Sequence, residues 1–146
     1  MAVTVFSWGT PAAVATALTN PVPANGSTAL SAAIDNSTTG ALYVDFFYIF
    51  ASAATGAGAP YVGLWLLSSV DGTAFEDPQA AGTALSPRPL DVIFPLLASV
   101  TQAQNVNAMN IPAPPYQFKV LLYNQAGVTL VTGGSVKYRF HNEIGT

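Results

Sequence analysis

With 146 residues and no cysteine, the chain fits one core and has no disulfide framework, zinc knuckle or thiol nucleophile to draw on. Charged residues make up only 8% and hydrophobic ones 51%, against about 25% charged in an ordinary soluble domain. The net charge is −3, and Arg88, Lys119, Lys137 and Arg139 form no run, which excludes the clustered cations that nucleic acid binding needs.

Residues 1–20 lack the positive start of a secretory signal, and the reading is an extended arm. Within it, residues 3–8 alternate as a first strand carrying Phe6 and Trp8. Residues 10–39, rich in Ala, Thr, Asn, Pro and Ser, read mostly as loop, with room for one short strand and a single helical turn at 29–34. Residues 41–52 are the strongest strand, because Tyr43, Phe46, Phe47, Tyr48, Ile49 and Phe50 favour a pleated, packed surface. Both of its faces are apolar, so it lies between layers or at a subunit contact. Asp45 inside it has two readings: hydrated at an edge, or paired with a basic residue across a sheet or subunit boundary.

Residues 61–69 read as the antiparallel neighbour of that strand. The stretch 46–70 carries no charge and is long enough to span a bilayer, but residues 55–60 (Thr-Gly-Ala-Gly-Ala-Pro) divide it. Two buried strands joined by a loop are expected, and no membrane partner. Asp71-Gly72 is a strong turn signal. Residues 91–99 contain Pro95, which demotes them to an edge strand or a bulge. Residues 105–111 form a short polar strand ended by prolines. Residues 116–123 and 128–131 read as a hairpin about a turn at 124–127. Residues 135–141 close the chain, with Val136, Tyr138 and Phe140 on one face and Ser135, Lys137, Arg139 and His141 on a solvent-facing one. Seven to nine short strands with Pro and Gly turns indicate an all-β, single-domain antiparallel β-sandwich or jelly roll, its core in 41–146 and its arm and loops in 1–40.

Catalytic signatures are missing. There is no nucleophile elbow, phosphate loop or dinucleotide fingerprint. His141 is the single histidine and reads as a surface residue. Asp71, Glu76 and Asp77 do not follow a calcium-loop spacing, and adjacent Glu76 and Asp77 point opposite ways in extended chain. No catalytic residue, cofactor or metal site is expected, and the chain does not read as an enzyme. Trp8, Tyr61, Trp65 and Tyr116 are candidates for a sugar-stacking platform, though aromatics at alternating strand positions more often serve core or interface.

Residues 64–77 (Leu-Trp-Leu-Leu-Ser-Ser-Val-Asp-Gly-Thr-Ala-Phe-Glu-Asp) resemble the strand and Ser-x-Asp-Gly-Thr segment of small virion proteins of tailed bacteriophages. The likeness continues through residues 114–119 (Pro-Pro-Tyr-Gln-Phe-Lys), 124–127 (Asn-Gln-Ala-Gly) and 133–139 (Gly-Gly-Ser-Val-Lys-Tyr-Arg). It implies a jelly-roll-like decoration or cement subunit on the capsid surface of the virion, often a homotrimer, with the major capsid protein as partner. Phe6, Trp8, Tyr43, Phe47 and Trp65 are then the candidate interface residues. A carbohydrate-binding sandwich displayed on the virion, or a tail, head-closure or fibre subunit, are the competing functions.

Overall fold

The computed structural model describes residues 4–10, 12–13, 25–51, 55–77, 81–82, 85–130 and 135–145. Every regular element among them is a strand, and no helix is long and apolar enough to cross a membrane. In chain order the strands are β1 (Thr4–Trp8), β2 (Ala12–Ala13), β3 (Thr28–Leu30), β4 (Ile34–Asp35), β5 (Tyr43–Phe50), β6 (Tyr61–Ser69), β7 (Val92–Pro95), β8 (Gln104–Pro112), β9 (Gln117–Gln125) and β10 (Ser135–Gly145).

They form two antiparallel sheets. Sheet A has the order β1-β10-β5-β8, with β2 also on β10. Sheet B has the order β3-β9-β6-β7, with β4 also on β9. With the two-residue strands set aside, sheet A takes the first, third, sixth and eighth strands of an eight-strand sequence and sheet B the second, fourth, fifth and seventh, which is jelly-roll connectivity.

The core follows from strand period. On β5, Val44, Phe46, Tyr48 and Phe50 point inward. On β6, Val62, Leu64 and Leu66 do so, and on β9, Phe118, Val120 and Leu122. Rings join the sheets: Tyr48 stacks on Phe94 of β7 with centroids 5.6 Å apart, and Phe118 meets Phe140 of β10 edge-on at 6.2 Å. Burial in this apolar slot raises the Tyr48 hydroxyl above its ordinary pKa.

Three expectations need correction. β6 does not pair with β5. It pairs with β7 and β9, because residues 51–60 are long enough to carry the chain across the sandwich. Residues 128–130 do not return beside β9, whose neighbours among the described residues are β3, β4 and β6, and residue 131 lies outside the described residues. Buried Asn124 turns the chain instead, donating to the Val128 carbonyl and accepting from the Ala126 N–H. Residues 29–34 hold no helical turn: Thr28–Leu30 and Ile34–Asp35 are strands on β9. Within the N-terminal part, β1 and β2 pair with β10, and β3 and β4 with β9, while residues 1–3, 11 and 14–24 lie outside the described residues.

At the end of the 124–127 turn two backbones touch. Gly127 has φ 79°, and a Cβ built there would stand 2.6 Å from the Gly56 Cα. Backbone cannot give way as a flexible side chain can. Gly127→Ala combines left-handed strain with overpacking and should lower stability by about 2–3 kcal/mol in urea melts.

Candidate functional site

The outer faces of the two sheets differ. On sheet B, Trp65, Leu67 and Leu121 form a second apolar cluster, flanked by Leu30, Leu90 and Tyr123. The chain between β6 and β7 roofs it. Leu90 lies so close to Gly63 that a Cβ there would fall 2.5 Å from Leu90 Cδ2, and the Trp65 indole N–H donates to the Arg88 carbonyl at 2.9 Å. Phe75 sits under the Lys119 ammonium, 4.3 Å from the ring centroid.

Side chains tie this strap to the part of β6 beyond its pairing with β7. Asp91 accepts from the Leu66 N–H, Arg88 donates to the Leu66 carbonyl, and Glu76 accepts from the Ser68 N–H. Arg88 also bridges Glu76 and Asp91. The strap begins in a turn where Asp71 accepts from the N–H groups of Ala74 and Thr73. Those bonds hold its carboxyl below the usual carboxylate range. An open cleft of about 490 Å³ lies beside the clamp, walled by Ile111 and the 112–115 prolines. Its charges are spent on one another and on the β6 edge.

Sheet A presents its outer face differently. Tyr43, Phe47 and Ile49 alternate with the inward residues of β5, remain half-buried, and belong to neither apolar cluster. Between them lies Asp45, fully buried. The guanidinium of Arg139, opposite it on β10, donates to Asp45 Oδ2 at 2.8 Å. Asp45 Oδ1 accepts from the Asn110 N–H at 2.9 Å. Asn110 has φ 58° and lies where β8 carries one residue more than β5, between Val44 and Phe46. Asp45 thus holds a β-bulge as well as a cation.

His141 completes the network. Its Nδ1 is 3.6 Å from Asp45 Oδ1, its Nε2 is 3.1 Å from Asn110 Oδ1, and its ring stacks on Tyr43 at 5.3 Å. Phe47 lies under the Arg139 guanidinium, 5.5 Å from its carbon. The result is an apolar strand face whose buried carboxylate is paired with a guanidinium. Such a face can be covered by a partner without stranding a charge. Among the described residues no three His, Cys, Asp or Glu gather as metal ligands.

The sequence candidates distribute as follows. Tyr43 and Phe47 lie together on this face. Phe6 and Trp8 are in β1, at the β10 flank of the same sheet and opposite Glu143 and His141; their side chains fall outside the described residues. Trp65 is 4% exposed on the other sheet and is a packing residue under the strap, not part of an exposed surface. His141, expected at the surface, is 2% exposed, because Tyr43 and the bulge close over it. Asp45 takes its paired reading. Arg139, Asn110 and the Glu76–Arg88–Asp91 clamp were missed as functional groups. Only Arg88, the first cation in the chain, set between two acids, carried a local signal. Of the four candidates for a sugar platform, Tyr61 packs edge-on against Tyr123, Trp65 is roofed and Tyr116 is exposed ahead of β9; the Trp8 side chain falls outside the described residues.

No protein-family model matches the chain, and no curated protein sequence does. Among solved structures, it is similar to the carbohydrate-binding module CsCBM6-3 from Clostridium stercorarium, solved in complex with cellobiose. That match has 15% identity and a TM-score of 0.39 and covers 82% of this chain and 67% of the other.

Proposed function

We propose that this protein is a virion structural subunit that decorates the outer surface of a tailed-phage capsid. It binds the major capsid protein through the outer face of sheet A and works by covering surface, not by catalysis. The observation that carries this reading is the asymmetry between the sheets. The chain itself roofs Trp65, Leu67 and Leu121 on the outer face of sheet B, leaving Ile93 exposed at its β7 edge, while Tyr43, Phe47 and Ile49 on sheet A stay half-buried above a buried ion pair. The phage-like motifs of residues 64–77 and 133–139 and the 8% charge content support the same reading. Each contact adds only about 25 cal/mol per Å² of apolar surface covered, but repetition over a shell makes the sum resist internal pressure.

The test is co-sedimentation with undecorated phage capsids, followed by cryo-electron microscopy of the pellet. Bound protein should appear as ordered density outside the shell, with sheet A facing it. Phe47→Asp, which places a carboxylate on that face, should weaken binding by at least about tenfold. Protein that stays in the supernatant, or binding indifferent to Phe47→Asp, would refute the assignment.

A further inference from the structure

Edges decide how a sandwich meets its neighbours, because an edge strand offers unpaired N–H and C=O groups to any extended chain. Most edges here are short. β1 and β2, on the outer side of β10, have 5 and 2 residues; β3 and β4, on β9, have 3 and 2; β7 has 4 and ends in Pro95. β8 has 9 residues, and among the described strands it pairs only with β5. Its residues are Gln-Asn-Val-Asn-Ala-Met-Asn-Ile-Pro, without one charge. Charged guards of an exposed edge, Lys above all, are absent along it.

Both ends of β8 are closed, and that fixes which part is open. At the start, the Gln104 side-chain amide accepts from the Leu97 N–H at 2.7 Å and donates back to the Leu97 carbonyl at 3.4 Å, tying this end to the segment that follows β7. At the other end, Asn110 turns into the bulge at φ 58°, and Pro112 removes a donor. The open window is residues 105–109, and its centre is Asn107.

We propose that β8 is the contact strand of a two-fold dimer, pairing antiparallel with β8 of a second copy about Asn107. In that register Val106 faces Ala108 of the second copy, Asn107 faces Asn107, and Asn105 faces Met109. Inward-pointing Val106 and Ala108, each only partly buried against the core, then join the two cores. On the outer face, Met109 is 46% exposed in the single chain. A groove of about 450 Å³ runs beside Asn105 and Asn107, lined also by Phe47, Ile49 and Lys137. The pairing sets each Met109 over the mouth of the other copy's groove. Methionine is soft enough to fill such an irregular gap and gains from sulfur–aromatic contact with Phe47. No charge lies on either strand to oppose the approach. The contact is isologous, each copy giving and receiving the same strand.

The test needs no capsid, so it stands or falls apart from the decoration role. Light scattering coupled to size-exclusion chromatography should give a dimer, or an even multiple, for the wild-type chain. Asn107→Lys puts two ammonium groups face to face at the dyad and should give monomer with an unchanged circular-dichroism melt. Because the chain has no cysteine, Asn107→Cys should form a disulfide-linked dimer under mild oxidation. Val70→Cys, at a position 94% exposed and remote in sequence, should not. A wild-type monomer at high micromolar concentration would overturn the proposal. So would a trimer that persists in Asn107→Lys, or cross-linking of Asn107→Cys no faster than that of Val70→Cys.

Discussion

Asp45→Ala should cost about 3 kcal/mol or more of folding free energy, read as a fall in the urea midpoint at constant slope. The carboxylate is fully buried and serves Arg139, the Asn110 N–H and, at 3.6 Å, the His141 ring. Alanine takes both acceptor oxygens away from all three partners at once and leaves a guanidinium, itself only 22% exposed, facing an emptied site. Asp45→Asn should lose less, about half, since one amide oxygen still accepts from Asn110. A double variant, Asp45→Val with Arg139→Met, separates the two roles. If charge pairing were the whole contribution, an apolar pair of similar volume would restore stability. The bulge predicts incomplete recovery, because Asn110 in its left-handed conformation still loses the acceptor that holds it. Full recovery would show that the bulge needs no such support.

How much of this was legible in the sequence depends on how far apart the deciding residues lie. The strands at 43–50, 61–69 and 135–141 could be read because period-two alternation of large apolar residues is local, and Pro95 correctly marked β7 as an edge. The alternation of β10 also assigned Val136, Tyr138 and Phe140 to one face and Arg139 and His141 to the other. It could not say that the second face would be closed at His141. That depends on Tyr43, Asp45 and Asn110, brought alongside by pairing with β5 and β8. Likewise, a ten-residue connection permits either a hairpin or a crossing, and only the competition of β9 for β6 decides between them. The strap announced itself weakly, through Phe75 and Leu90, apolar residues that follow the Asp71-Gly72 turn and lie outside any strand read from the sequence. The clamp that holds it joins Glu76 and Asp91 to opposite sides of one guanidinium, and no spacing rule foretells that.

Phe118→Ala should be as damaging as any single core truncation, at about 3–5 kcal/mol. Phe118 is fully buried on β9, paired in register with Ile34 of β4 and with Ser68 of β6, and its ring meets Phe140 of β10 edge-on. It therefore fills the slot between the sheets at the place where the N-terminal strands join sheet B. Relaxation into the cavity is restricted from every side. The strap fixes β6 from outside, Asn36 pins the turn after β4 through bonds to Ala41 and Pro114, and Phe140 is held by the β5–β10 pairing. A cavity that cannot collapse keeps its full cost. Phe118→Leu, which preserves most of the volume, should recover more than half of the loss. Thermal and urea unfolding of both variants would check this. Equal losses for alanine and leucine would mean that the edge-on ring contact with Phe140, not the filled volume, holds the two sheets together at this point.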